Sequence, residues 1–372
     1  YSRLQNPTCD LVAAKICEME GGTAAMLTSS GMAANFLAIF NVAGAGDHVV
    51  ASSAIYGGTY NLLAHTMGRM GVTCTFVAPD CTDEELEAAF EPNTKLVFGE
   101  TIANPALAVL DIERFAKAAH DHGVPLMVDN TFPTPVMCRP FEWGADIVTH
   151  STTKYMDGHA AYLGGVIVDG GNYNWANGKF PQIDGPSEGY HGLNLHEAFG
   201  PAAFIVKCRV DGLRDLGCCP SPFDSYLMMI GLETLSLRVK HQVESTWKLA
   251  EYCRSHPKVE RVSFVGFDTH PSHENARKYY RYGSSAVFTV ELKGTLESTV
   301  RFVESLRLAA NMTMIGDSIT VVTHPASTTH KQLSDADLAA AGVTPTLLRI
   351  SLGLENADDL IEDFEQAFAQ IG

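Results

Sequence analysis

The chain has 372 residues, 46% of them hydrophobic and 19% charged, a composition ordinary for a globular protein and a length that one hydrophobic core rarely serves, so two domains are expected. With 43 acidic against 26 basic side chains, the formal net charge is −17, which argues against a nucleic-acid binder that relies on a basic footprint. No uninterrupted apolar run reaches the length of a membrane helix, since the most apolar stretch, 26–45, is broken by Ser29, Ser30, Gly31 and Asn35.

In chain order, apolar spacing over 6–20 predicts a helix that starts near Thr8 and stops at Gly21-Gly22. A short buried strand over 24–28 runs into Ser29-Ser30-Gly31-Met32, a turn opening a second helix to about Phe40. Such a helix start offers free N–H groups and the positive dipole end to a phosphate, with simple capping by Ser30 as the plain alternative. Strands are then expected at 48–52, 73–78, 95–100, 125–129, 146–150 and 165–169, and helices at 58–71, 82–90 and 112–123. This alternation of two-sidedly apolar strands with helices predicts an α/β fold with a mostly parallel, covered sheet.

Residues 172–200 are aromatic, rich in Gly and Pro and aperiodic, and a loop of that length is usually functional. A long helical pattern over 222–256 leads to a smaller α/β domain, with strands at 285–292, 319–324 and 347–352 and helices at 296–311 and 357–371. The expected division is 1–221 and 222–372. Nine scattered cysteines, an odd number without C-x-x-C spacing, fit a reducing cytoplasm better than a disulfide framework or a zinc site. No signal peptide is visible, and the abrupt start at Tyr1 suggests a truncated N-terminal arm.

One pair of residues carries chemistry. Asp129 closes one apolar run, 125–128, and Lys154 follows another, 145–150. Parallel strands would carry both toward the carboxyl edge of the sheet, where ligands bind in open α/β folds. A Schiff-base lysine with an acid that holds a pyridine nitrogen protonated is what pyridoxal phosphate chemistry needs, and Ser151 and Thr153 flank the lysine with phosphate-ready hydroxyls. A solvated lysine and a strand-end cap are the plain alternatives.

Several further motifs accompany that pair: Tyr1-Ser2-Arg3 with Asn6-Pro7-Thr8, Ser29-Ser30-Gly31-Met32-Ala33-Ala34, Ile55-Tyr56-Gly57-Gly58-Thr59 and Glu100-Thr101-Ile102-Ala103-Asn104-Pro105. Val128-Asp129-Asn130-Thr131, Ser151-Thr152-Thr153-Lys154, the run 324–330 and Arg349-Ile350-Ser351-Leu352-Gly353-Leu354-Glu355 complete the set. Together, and over nearly the whole chain, they resemble the cystathionine γ-synthase family of fold-type I pyridoxal phosphate enzymes. Gly178-Lys179-Phe180-Pro181, Tyr190-His191-Gly192 and the run 198–203 resemble the insertion of its O-acetylhomoserine sulfhydrylase branch.

The resemblance implies pyridoxal 5'-phosphate as cofactor, held by Lys154, which would also shuttle protons, with Asp129 on the pyridine nitrogen. It implies that Tyr56 stacks on the ring and that Asn104 bonds the phenolic oxygen. Gly31, Met32, Ser151 and Thr153 would hold the phosphate, and Arg349 would clamp the substrate carboxylate. Tyr1 and Arg3 would reach a neighbouring subunit's phosphate, in dimers that pair into tetramers. The implied reaction is γ-replacement on O-acetyl-L-homoserine by sulfide or methanethiol, giving homocysteine or methionine and acetate. Elimination to 2-oxobutyrate and a non-catalytic cofactor-binding homologue stay open as alternatives. Glu100 carries a structural reading as readily as a functional one, and His150, His159, His324 and His330 lack a zinc spacing. Two departures bear on the substrate side chain: Tyr162 where the branch usually has a small residue, and Met314 where asparagine or serine is more usual.

Overall fold

Asn6 starts the first helix, α1 (Pro7–Glu20), by accepting from the N–H groups of Thr8 and Cys9, with Pro7 at the first turn where no N–H is needed. Gly21 ends it at φ 78°, a left-handed cap that glycine adopts without a Cβ penalty. The computed structural model describes residues 1–103, 107–328 and 343–371. Its chain divides into two compact units: residues 1–103, 109–153 and 161–230 in the first, and the described residues of 104–108, 154–160 and 231–372 in the second.

The first unit is built on seven strands, β1 (Ala24–Thr28), β2 (His48–Ser52), β3 (Thr73–Val77), β4 (Thr94–Glu100), β5 (Leu126–Asp129), β6 (Ile147–Ser151) and β7 (Gly165–Asp169). Their spatial order is β1-β7-β6-β5-β4-β2-β3. The five strands from β6 to β3 are parallel, and β7 runs antiparallel to both β6 and β1. Every residue of β2 and β7 is buried, as a sheet covered on both faces requires. Ser30 caps the second helix, α2 (Gly31–Phe40), by accepting from the N–H of Ala33, so the expected cap is present.

The helix expected over 58–71 is broken into an α turn (Gly57–Asn61), a π turn (Leu62–Thr66) and a 3₁₀ turn (Gly68–Met70). Thr82 and Glu85 form a capping box on Asp83–Ala88, within the helix expected at 82–90. The stretch 172–200 is less of a loop than its sequence suggests. It carries the two-stranded ladder β8 (Pro186–Ser187) and β9 (Leu193–Asn194) and a short helix, Leu195–Phe199. Trp175 and Phe180 are buried, and Trp175 stacks on Phe204 at 5.2 Å between ring centres. Burial in the core explains these two aromatic residues, while Phe199 stays exposed.

The helix Pro222–Ser255 runs for 34 residues. The second unit has a five-stranded sheet of β10 (Val259–Ser263), β11 (Val287–Leu292), β12 (Ala310–Asn311), β13 (Val321–Thr323) and β14 (Leu347–Ser351). Their order is β10-β11-β14-β13-β12. The alternation of β14 sends Leu348 and Ile350 into an aromatic core with Phe288, Phe302, Phe364 and Phe368, which leaves Arg349 on the other face. β10, β12 and the helix His273–Tyr279 are additions to the sequence expectation; β12 is only two residues long and β10 is half exposed.

Candidate active site

Parallel pairing places the ends of β4, β5 and β6 side by side. Glu100 is in register with Asp129, and Asp129 with Thr149, so their side chains share one face of the sheet. Asp129 is buried, and both of its oxygens accept hydrogen bonds. Oδ1 takes the backbone N–H of Thr131 at 3.1 Å and its hydroxyl at 2.5 Å; Oδ2 takes the amide of Asn35 at 3.1 Å. The donor directions are fixed one bond further out. Thr131 Oγ1 accepts from the N–H of Ser151 at 2.8 Å, and Asn35 Oδ1 accepts from the Thr149 hydroxyl at 2.6 Å. Asn35 and Thr131 therefore offer donors to both oxygens of Asp129, and Thr149 and Ser151 orient those donors. Asn35 escapes the sequence reading; the available signal is a single amide on the buried face of an apolar helix.

The next residues along β5 and β6 point to the other face. There His150 Nε2 meets Glu20 Oε1 at 2.5 Å, and Asn130 donates to the same oxygen at 3.0 Å, all three side chains being buried. His150 thus ties α1 to the sheet. No cluster of three metal-ligating side chains occurs among the described residues.

The candidate phosphate groups also come together. A Cβ on Gly31 would stand 2.6 Å from the Cβ of Ser151, so only glycine lets the start of α2 approach the end of β6 this closely. α2 is ten residues long and presents its N-terminal N–H groups at that point. Met32 receives a weak bond from Thr59 Oγ1 to its sulfur at 3.7 Å. Thr153 Oγ1 is buried and exchanges hydrogen bonds with the N–H and C=O of Gly164, at 3.0 and 3.2 Å. Tyr162 is buried as well, its hydroxyl donating to the Thr152 carbonyl at 3.1 Å. Its bulk therefore braces the turn that leads to Lys154.

Tyr56 stands at the start of the Gly57–Asn61 turn with its side chain about half exposed, and its N–H donates to Glu100 Oε2 at 2.6 Å. Burial, then the nearby charge of Asp129, pushes the Glu100 carboxyl well above the usual carboxylate range. Tyr1 is exposed, and the Arg3 guanidinium lies 5.1 Å from its ring centre. Asn104 lies outside the described residues, as does His330.

In the second unit Lys154 is half-buried, its Nζ 3.4 Å from Met314 Sδ, and it forms no ion pair among the described residues. Burial and then the Arg349 charge lower its pKa, which favours the neutral amine needed of a nucleophile or base. Arg349 is buried, and its Nη2 donates to the carbonyls of Thr313 and Met314 at 3.0 and 3.2 Å and to Thr323 Oγ1 at 3.1 Å. Burial depresses this guanidinium to about 10, which makes an anionic ligand a favourable partner.

In the first unit stand a carboxylate that meets three donors and a glycine-edged helix start, and in the second a lysine of lowered pKa and a buried guanidinium, residue types that pyridoxal phosphate enzymes of fold type I employ. The chain belongs to the Cys/Met metabolism PLP-dependent enzyme family, whose model matches residues 1–369. It is 45% identical over 370 residues to O-acetyl-L-homoserine sulfhydrylase 1 of Thermus thermophilus, covering 99% of this chain and 88% of that one. It is 46% identical over 370 residues to the homocysteine synthase of Schizosaccharomyces pombe, with 99% and 86% covered. A crystal structure from Campylobacter jejuni, described as a candidate O-acetylhomoserine (thiol)-lyase and carrying a pyridoxyl-lysine phosphate, superposes with a TM-score of 0.94. It is 36% identical and the match covers 99% of this chain and 88% of that one.

Proposed function

We propose that this enzyme catalyses γ-replacement on O-acetyl-L-homoserine, with sulfide or methanethiol as the incoming group and homocysteine or methionine plus acetate as products. The full-length likeness to a protein named O-acetyl-L-homoserine sulfhydrylase carries the reading. Pyridoxal phosphate supplies, when bound, an electron sink for negative charge at the substrate's α carbon. Asp129, whose two oxygens accept from Asn35 and Thr131, is suited to a protonated ring nitrogen. Gly31, Met32, Ser151 and Thr153 lie on the α2 start and the β6 turn, where a phosphate is suited, and Tyr56 offers a ring face to stack. Asn104 keeps its assignment to the phenolic oxygen from its motif alone.

Lys154, whose pKa burial lowers, takes the proton from the α carbon and returns protons once the γ substituent has been exchanged. Arg349 receives the substrate carboxylate. Acetate leaves from the γ carbon, and the sulfur nucleophile forms its bond at the same carbon. Product analysis with O-acetylhomoserine, with and without sulfide, tests the reading. Homocysteine and acetate in equal amounts are expected with sulfide. Release of 2-oxobutyrate in its place points to γ-elimination.

The enzyme acts as a homodimer, in tetramers of paired dimers, in which Tyr1 and Arg3 serve the neighbour's phosphate; an arginine suits that anion. Mixing inactive Arg3→Ala with inactive Lys154→Ala protomers checks this, because a hybrid dimer regains one intact site and part of the activity. Residues 1–221 form the cofactor-binding domain and 222–372 the smaller one, a division that limited proteolysis examines. The nine free cysteines support a reducing, cytoplasmic setting.

A further inference from the structure

Glu100 is a buried carboxyl that the reaction above does not use. It ends β4 in direct register with Asp129 on β5, so two carboxyl groups stand on adjacent strands and on the same face of the sheet. Like charges so placed in a dry environment cannot both be carried at little cost, and one of the two keeps a proton. Hydrogen-bond accounting says which. Asp129 faces donors on both oxygens: the Thr131 hydroxyl, oriented by the Ser151 N–H that it accepts on one of its lone pairs, and an Asn35 amide turned by Thr149. Glu100 receives, among the described residues, one N–H, that of Tyr56 at 2.6 Å, on Oε2.

That single bond has a structural consequence. Tyr56 precedes Gly57 and Gly58, and a Cβ on Gly58 would stand 2.5 Å from Cε1 of the Tyr56 ring. The ring therefore lies back over its own turn, and the backbone N–H fixed by Glu100 anchors the residue from which it projects. We propose that Glu100 is a positioning residue that works as an un-ionised carboxylic acid, anchoring Tyr56 and leaving the negative charge of the Glu100–Asp129 pair on Asp129. Burial and the Asp129 charge both favour the proton on Glu100. The inference rests on the reading of Asp129 and Tyr56 as cofactor residues.

The test uses the holoenzyme and compares Glu100→Gln with Glu100→Ala, alongside Asp129→Asn and Tyr56→Ala. A neutral amide replaces a neutral acid in Glu100→Gln, so kcat and KM should stay within about threefold of the parent with the same pH profile. Glu100→Ala removes the acceptor and should lower kcat about tenfold or more. In the infrared at pH 8 the parent should show the C=O band of an un-ionised carboxyl group that Glu100→Gln lacks. Absence of that band, a Glu100→Gln enzyme as impaired as Glu100→Ala, or a pH profile displaced by about one unit in Glu100→Gln overturns the inference. Parent-like turnover in both Asp129→Asn and Tyr56→Ala instead overturns the underlying reading of the site. Impairment in those two with parent-like Glu100→Ala overturns only the role of Glu100.

Discussion

The end of β5 and the surroundings of Arg349 bury charge in opposite ways. Around Asp129 the chain supplies three donor contacts and fixes two of the donor groups with further hydrogen bonds, so the anion is satisfied from within. By contrast, Arg349 Nη2 donates to two carbonyls and a hydroxyl, and Lys154 Nζ to a thioether. Burial lowers both cations' pKa values there. A preorganised anion can hold a cofactor atom in place without rearrangement. A cation that burial disfavours gains from an arriving anion, which is why Arg349 is the proposed receiver of the substrate carboxylate.

The comparison breaks most visibly at Lys154. Lys154→Ala should lower product formation by about 10⁴-fold, with a circular dichroism spectrum like the parent's, because the proton carrier is removed and the fold is not. Activity near the parent's would place the chemistry elsewhere.

Arg349→Ala should raise the KM for O-acetylhomoserine about 100-fold while the visible absorbance of the bound cofactor stays, since the charged hydrogen bonds to the carboxylate are lost together with those to Thr313, Met314 and Thr323. An unchanged KM would mean that the carboxylate is bound by other groups.

At the satisfied anion the effect should be smaller and should appear in stability as well. Asn35→Leu strips a donor from Asp129 and the acceptor from Thr149, costing about 1–3 kcal/mol by urea unfolding and roughly tenfold in kcat. Equal stability in the two proteins would show that the network is dispensable.

Asp169 is what a buried carboxylate becomes without such donors. It closes β7 between Ala24 of β1 and Ile147 of β6, and among the described residues it has one hydrogen bond, from Gly171 N–H at 2.9 Å, with no partner for Oδ2. Burial raises its pKa from 3.8 to about 7. A carboxyl whose folded-state pKa is raised contributes stability in full below about pH 4 and loses it as pH rises through about 7. Asp169→Asn does not ionise, so its Tm advantage over the parent should grow between pH 4 and pH 8. That advantage is bounded by about 4 kcal/mol, and turnover should be unaffected. A Tm difference that is flat with pH would contradict the assignment.

Much of this was legible from the chain alone. The helix start at Asn6 and the caps at Ser30 and Thr82 depend on residues within a few positions, so local chemistry determines them. The strands that end at Asp129 and Asp169 show as apolar runs because both faces are covered. Asp129, Lys154 and Arg349 stood out because their motifs are contiguous in sequence. What only the tertiary structure decided is long-range. Asn35 meets Asp129 across 94 positions, Lys154 meets Met314 across 160, and Glu100 stands beside Asp129 by strand register. The burial of Trp175 and Phe180, in a stretch that reads as an open loop, belongs with these. Spacing along a chain determines periodicity and caps, whereas a hydrogen bond between distant side chains exists only once strand order and helix packing bring their atoms within about 3 Å.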